Sequence, residues 1–202
     1  MNYLFVFLIS LPGIIVATTV HEFTRAMVSS ALGDNLPKSK GRLTLNPLKH
    51  FEPIGFLLMF YSGGFGWGKP VETSALYYKN RRRDTLLVSI LPSVVNLIIG
   101  MFFLVLYTNV SSGNIYLSET LNYLCFYNVG LAIYNILPVA PMDCVKVLSV
   151  TLPANKYFKY LQYEKMIQVF FLLMLLLGFF GNIFRNITSF VINFLGNVFF
   201  IL

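Results

Sequence analysis

Long apolar stretches, nearly free of charge, alternate with short polar segments along most of the chain. A helix needs about 20 apolar residues to cross the hydrocarbon core of a membrane. Five stretches approach that length, although the last two are near its lower limit. The pattern therefore predicts membrane helices over Tyr3–Leu32, Thr85–Val110, Leu121–Val139, Gln168–Gly181 and Ile187–Leu202.

Shorter patterns add irregular elements to this picture. The apolar stretch Ile54–Phe65 has only twelve residues, which favours a re-entrant or strongly tilted segment over a complete span. The glycine-rich stretch Ser62–Gly68 predicts a tight bend. Gly41–Asn46 alternates apolar and polar residues, which is typical of a short strand or an extended loop. The predicted fold is all-α, a polytopic membrane protein with five to six membrane segments and one short extended or β-like loop.

Composition agrees with a single membrane domain over residues 1–202. The chain is 56% hydrophobic and 11% charged, against about 25% charged residues in an ordinary soluble domain. Its net charge of +7 comes from basic residues clustered between apolar stretches. The lipid bilayer, with its anionic surface, is therefore the expected partner, and nucleic acid is not.

The basic residues also predict an orientation. All of the 15 Lys and Arg residues except Arg25 and Arg185 lie in three segments between apolar stretches. The positive-inside rule places these three segments in the cytoplasm, so the first helix begins on the opposite side. Arg185 is expected in a short outer turn at Gly181-Asn182. The residues expected in the cytoplasm are Lys38, Lys40, Arg42, Lys49, Lys69, Lys79, Arg81, Arg82, Arg83, Lys146, Lys156, Lys159 and Lys165.

Three ionisable residues interrupt the first apolar helix, namely His21, Glu22 and Arg25. The motif His-Glu-x-x-His on a helix directs two histidines at zinc and uses the glutamate as a general base. Positions 21 and 25 share a helix face because they are four residues apart. Arginine cannot bind a metal, however. Whether the protein is an enzyme therefore depends largely on position 25.

A carboxylate far along the chain is expected to meet these residues. Asp143 follows two helix-breaking prolines at the cytoplasmic end of the helix predicted before it. Irregular backbone is tolerated at membrane depth where it lines a cavity, so Asp143 can reach the level of His21. A charged side chain inside a membrane needs a partner. We therefore expect Arg25 to pair with both Glu22 and Asp143.

Together these motifs resemble the site-2 protease family of zinc-dependent intramembrane metalloproteases, in particular a compact bacterial member. The similarity covers a core over residues 1–153 and leaves residues 154–202 as a helical extension. It is carried, in this order, by His21-Glu22-Phe23, Gly33-Asp34, Gly41–Gly55, Phe65–Val71, Pro92 with Asn96, and Asn135–Asp143.

The resemblance implies a protein of the bacterial cell membrane that hydrolyses peptide bonds within or near the bilayer, with zinc as its cofactor. It implies that His21 is the first zinc ligand, Asp143 the third ligand and Glu22 the catalytic base. Arg25 stands in place of the second histidine. This departure puts the binding of zinc in doubt, because two ligands beside a fixed cation bind a divalent metal poorly.

Three functions stay open at this stage. The first is a working protease in which Cys144 or His50 completes the zinc site. The second is an inactive pseudoprotease that holds transmembrane clients or partner proteins, with an ion network in place of zinc. The third is a small transporter or channel whose intramembrane charges line a pathway. In the first two, the candidate substrate-binding residues are Asn96, Gly64 and Gly66.

Overall fold

A computed structural model describes residues 3–62, 64–109 and 114–200. Residue 63 of the predicted bend, residues 110–113 at the end of the second predicted helix and residues 201–202 at the end of the last one lie outside these ranges. The described residues are predominantly helical and form no β-strand, so the all-α prediction is confirmed and the alternation at 41–46 marks an irregular loop. The α-helices are α1 (Tyr3–Ala31), α2 (Leu36–Ser39), α3 (Pro53–Tyr61), α4 (Arg81–Asn109), α5 (Ile115–Tyr134), α6 (Cys144–Thr151), α7 (Ala154–Leu176) and α8 (Gly181–Phe200).

Helices α1, α4 and α5 pack against one another and form the centre of the fold. Glycines allow this close approach, because a Cβ atom at Gly13 of α1 would lie 2.6 Å from the carbonyl oxygen of Tyr123. A Cβ atom at Gly100 of α4 would likewise lie 2.6 Å from the side chain of Val129. Small residues at contacts of this kind are how helices associate in a membrane. As a result α5 lies between two neighbours and is the most buried helix of the three.

Two of the described helices, α1 and α4, are long and apolar enough to cross a membrane. A third candidate arises if α7 and α8 are taken together as one bent span. The prediction of membrane-spanning helices is confirmed to that extent. The predicted number of five to six membrane segments is not confirmed.

Three predicted segments begin at least six residues too late, and they correspond to α5, α7 and α8. Helix α5 begins six residues before Leu121 and ends at Tyr134, because its polar first turns continue the helix while the chain beyond it becomes irregular. Helix α7 begins at Ala154, so three lysines that we expected in a loop lie within this helix. They are Lys156, Lys159 and Lys165.

The last two helices are joined by a sharp bend rather than by an outer turn. The axes of α7 and α8 differ by 88°. Gly178 lies in this bend with a φ of +80°, a backbone conformation that glycine adopts without strain. Because α8 begins at Gly181, Arg185 lies within a helix, and the prediction that it lies in a short turn is wrong.

Helix α3 and the chain that follows it form a hairpin. The helix has nine residues, which corresponds to about 14 Å and is too short to span a bilayer. The following segment runs back along it, since a Cβ atom at Gly66 would lie 2.2 Å from the carbonyl oxygen of Gly55. The Lys69 amide then donates to the carbonyl oxygen of His50 at 2.8 Å, just before α3 begins. The short apolar segment therefore leaves and returns on one side of the protein.

We expect Gly55→Ala to destabilise this hairpin. An added Cβ atom would lie 2.0 Å from the carbonyl oxygen of Trp67, so the two backbones would have to separate. The free energy of unfolding is expected to fall by about 1–3 kcal/mol, as it does at other overpacked sites. Thermal unfolding in detergent measures it, with Leu57→Ala as the control because Leu57 lies on the same helix and is 63% exposed. Equal melting temperatures for Gly55→Ala and the wild type would contradict the close contact.

Candidate functional site

The predicted site residues meet where α1 passes the start of α6. His21, Glu22 and Arg25 lie on α1 and are all buried. Asp143 immediately precedes α6 and is fixed by the residue that follows α5, because its amide donates to Asn135 Oδ1 at 3.2 Å. The Asn135 carbonyl oxygen also accepts a hydrogen bond from the amide of Cys144 at 3.0 Å. These two bonds hold the irregular segment between α5 and α6 beside α1.

The Arg25 guanidinium group lies between the two carboxylates. Its Nη1 atom donates to Glu22 Oε1 at 2.8 Å and to Oε2 at 2.7 Å. Its Nη2 atom donates to Asp143 Oδ1 at 2.6 Å. The side chain is only 2% exposed, and its Nε atom has no partner within the described ranges. These charge-assisted bonds are therefore what allows the cation to be buried.

Glu22 has no free oxygen for proton transfer. Both oxygens accept from Arg25, and Oε2 also accepts from the amide of Val71 at 2.7 Å. A general base needs a carboxylate oxygen that can take a proton from a positioned water. In this arrangement Glu22 instead fixes a cation and the backbone of the segment that follows the α3 hairpin.

His21 is oriented by a second set of hydrogen bonds. Asn96 of α4 donates from Nδ2 to the Ala17 carbonyl oxygen at 3.0 Å and to Asn128 Oδ1 at 3.1 Å. Its Oδ1 atom therefore accepts from His21 Nδ1, at 3.2 Å. The other ring nitrogen, Nε2, lies 2.9 Å from Asp143 Oδ2 and 3.1 Å from Arg25 Nη2. His21, Arg25 and the two carboxylates thus form one buried network.

These residues do not fit a zinc ion. A catalytic zinc is held by three protein ligands and keeps a position for water. Here the nitrogen and oxygen atoms of His21, Glu22 and Asp143 that could bind a metal contact the guanidinium group of Arg25 instead. This permanent positive charge repels a divalent cation. No group of three His, Cys, Asp or Glu residues that could hold a metal occurs in the described part of the chain.

Neither candidate substitute ligand completes a metal site. The ring of His50 is held by its own loop, since Nε2 donates to the Thr44 carbonyl oxygen at 2.8 Å and Nδ1 lies 3.4 Å from Arg42 Nη2. Cys144 is partly buried at the start of α6, with its thiol free of any disulfide. Neither residue belongs to a metal-binding group among the residues that the structure describes.

The three predicted substrate-binding residues have structural contacts. Asn96 is fully buried within the hydrogen bonds described above. Gly64 adopts a φ of +127° and packs against Phe126, with 3.1 Å from its ideal Cβ position to the ring. Gly66 packs against α3. A role in substrate binding stays a prediction for all three.

Two contributions to the site were missed in the sequence. The amide of Val71 binds Glu22 through a long-range contact that no local pattern marks. Lys146 was expected only as one of many cytoplasmic charges, yet burial, and then the nearby charge of Arg25, lower its pKa to about 8. Its position three residues after Asp143, on the first turn of α6, is the signal that could have found it.

The loop that carries His50 is expected to loosen in acid. Burial lowers the pKa of His50 below its ordinary value of 6.5, although the bond to Thr44 opposes this shift. The unfolded loop therefore binds more protons below about pH 6.5, and stability falls as the pH decreases through that value. Hydrogen exchange at the Lys69 amide, corrected for its intrinsic pH dependence, measures the effect. His50→Gln removes the titrating group, so an unchanged pH response in this variant would contradict the assignment.

Comparisons with known proteins identify relatives of this chain by sequence. No family model matches the chain, and no solved structure matches it significantly. The chain is 35% identical over 159 residues to "Putative zinc metalloprotease YwhC" of Bacillus subtilis, which covers 75% of this chain and 72% of that protein. It is 26% identical to "Putative zinc metalloprotease Rip2" of Mycolicibacterium smegmatis and 29% identical to the Rip2 of Mycobacterium tuberculosis H37Rv. These matches cover 71% and 70% of this chain, but only 57% and 56% of the two mycobacterial proteins.

The apolar helices and the named relatives together indicate a helical membrane protein related to zinc metalloproteases. The named relatives are members of the site-2 protease family, and the chain belongs to that family. The predicted resemblance is thereby confirmed. The family implies zinc, and the Arg25 network is the place where this chain departs from it.

Proposed function

We propose that this protein is an inactive member of the site-2 protease family that binds extended segments of membrane proteins without hydrolysing them. The observation that supports this proposal most is the position of Arg25, which donates hydrogen bonds to Glu22 and to Asp143. A permanent positive charge satisfies the two carboxylates that the family uses for catalysis and metal binding.

Peptide hydrolysis in this family depends on a zinc ion and a free general base. Zinc polarises the scissile carbonyl and lowers the pKa of bound water. Arg25 cannot supply a coordination site for water, and Glu22 is occupied by three hydrogen bonds. Arginine in place of histidine at position 25 therefore removes both the zinc site and the free general base. The other sequence motifs of the family are kept.

The proposed orientation places the network near the cytoplasmic side of the bilayer. The basic segments before and after α3 lie at the end of the molecule where α1 ends and α4 begins. Under the positive-inside rule that end is cytoplasmic. Helices α4 and α5 then cross outwards and back, and α7 with α8 forms one bent crossing. The α3 hairpin enters the bilayer from the cytoplasm and returns.

Unpaired backbone beside the network supports binding of an extended peptide. Residues 66–68 make no backbone hydrogen bond within the part of the chain that the structure describes, although Gly66 and Gly68 are buried. A Cβ atom at Gly68 would lie 3.5 Å from Glu22 Cγ, so this segment passes directly beside the site. Buried amides and carbonyls need partners, and an added strand is a recurring way of supplying them. This use of the segment favours a peptide-binding function over a transporter.

The purified protein tests this proposal directly. We expect only trace zinc, no cleavage of a model transmembrane peptide, and crosslinking of the same peptide to a photoreactive amino acid placed at Trp67. The same photoreactive group at exposed Leu76 serves as the matched control. Cleavage that disappears in Glu22→Gln would show an active protease and overturn the proposal. Equal crosslinking at both positions would remove the support for a binding segment.

A further inference from the structure

A cavity beside the network is lined by two basic side chains. It has a volume of about 320 Å³ and is lined by the start of α4, by α6 and by the loop before α4. Arg81 and Lys146 both line it. No Asp or Glu is among the residues that line it in the described ranges. The cavity therefore combines two positive charges with no negative charge.

The hydroxyl groups of Tyr78, Ser89 and Ser149 in this lining are hydrogen-bonded within the protein, whereas three other polar side chains of the cavity have no such partner in the described part of the chain. Neither Arg81 nor Lys146 forms an ion pair within residues 3–62, 64–109 and 114–200. Thr85, which also lines the cavity, has a buried hydroxyl group with no hydrogen-bond partner in those same ranges. Burying such a group is costly unless a ligand or water bonds to it. Two unpaired cations and one unpaired donor are what an anion with several acceptor oxygens would satisfy.

The rest of the lining indicates what carries the anion. Val88 of α4 and Val150 of α6 give the cavity an apolar wall. Arg81 is the first residue of α4, at the end of the molecule that the proposed orientation places at the cytoplasmic membrane surface. Anionic phosphate groups are attached to apolar chains at that surface. A ligand with a phosphate beside an apolar part matches both halves of the lining.

We propose that this cavity binds the phosphate group of an anionic membrane lipid, held by Arg81, Lys146 and the hydroxyl group of Thr85. The assignment of the ligand to a membrane lipid rests on the proposed orientation, whereas the binding of phosphate does not. Phosphate binding at this cavity is also independent of the proposed peptide binding. Because Lys146 lies three residues after Asp143, a bound phosphate would fix the helix that follows the network.

Thermal unfolding of the detergent-purified full chain, with added lipid, tests this site. We expect phosphatidylglycerol to raise the melting temperature of the wild type in a concentration-dependent way, as a ligand of the native state does. Zwitterionic phosphatidylcholine is expected to have little effect. Arg81→Gln and Lys146→Gln should each weaken the apparent affinity for phosphatidylglycerol by about tenfold or more, as the loss of a charge-assisted bond does.

Two further variants separate this site from general attraction to charge. Arg82→Gln removes a neighbouring cation that lines a different cavity, and its response to the lipid should equal that of the wild type. Thr85→Val removes only the unpaired hydroxyl group, and it should weaken binding without lowering the stability of the lipid-free protein. An equal response in Arg81→Gln, Lys146→Gln and the wild type would overturn the proposal. Stabilisation by inorganic phosphate as large as that by lipid would support the phosphate site but overturn its assignment to a lipid.

Discussion

Arg25→His is expected to bind about one zinc ion per chain, whereas we expect the wild type to bind none. The substitution removes the guanidinium group that fills the space between Glu22 and Asp143. It restores the second histidine of the family motif on the same helix face. His21 Nε2 and Asp143 Oδ2 already lie 2.9 Å apart, so two of the three ligands are in place. Metal analysis of the purified variant should therefore find about one zinc per chain, as at other sites with three protein ligands.

Stability provides a second measurement for the same variant. Without zinc, Arg25→His leaves two carboxylates buried without their cation, so it should unfold at a lower temperature than the wild type. Zinc at about 100 times its dissociation constant should restore about 2.7 kcal/mol. Addition of zinc should leave the wild type unchanged. The matched control is His21→Ala in the Arg25→His background, which has only two ligands and should lose zinc. Equal zinc in Arg25→His and the wild type would show that another residue completes the site.

The network could be predicted from the sequence because one half of its contacts is local and the other half is required by charge. Residues 22 and 25 are three apart on one helix, so their pairing follows from helix geometry. The approach of Asp143 followed from a weaker argument, namely that a carboxylate after two prolines would be cytoplasmic and at membrane depth. The structure places it beside Arg25, at 2.6 Å. The high cost of an unpaired charge in an apolar setting is what made this long-range contact predictable.

Hydropathy was a poorer guide to where the helices begin. The first turns of α5 include Ser118, Glu119 and Thr120, although the chain is helical there. An apolar window cannot distinguish such polar helical turns from a loop. The bend between α7 and α8 was also misplaced, because its glycines at 178 and 181 are near one another and only the first adopts a positive φ. The contact of Val71 with Glu22 depends on how the α3 hairpin folds back, which no local pattern encodes.

Asp143→Asn is expected to destabilise the protein by about 3–5 kcal/mol, the usual cost of removing one partner from a buried ion pair. The neutral amide leaves the Nη2 group of Arg25 without its carboxylate while the guanidinium group stays buried. Thermal or denaturant unfolding in detergent measures the loss. Glu72→Gln is the matched control, because Glu72 pairs with Lys40 at the exposed surface and exposed ion pairs contribute little.

The combined variant distinguishes a network from a set of independent contacts. In Glu22→Gln with Arg25→Met and Asp143→Asn, no charge of the three-residue ion network is left without its partner. Residues in one network do not lose stability additively, and replacing a whole buried ion network is often nearly neutral. We therefore expect the triple variant to be more stable than Asp143→Asn alone. If instead its loss equalled the sum of the three single losses, Arg25 would not be the common partner of the two carboxylates. Arg25 would then stand in place of a zinc ligand without stabilising the protein through its contacts with the two carboxylates.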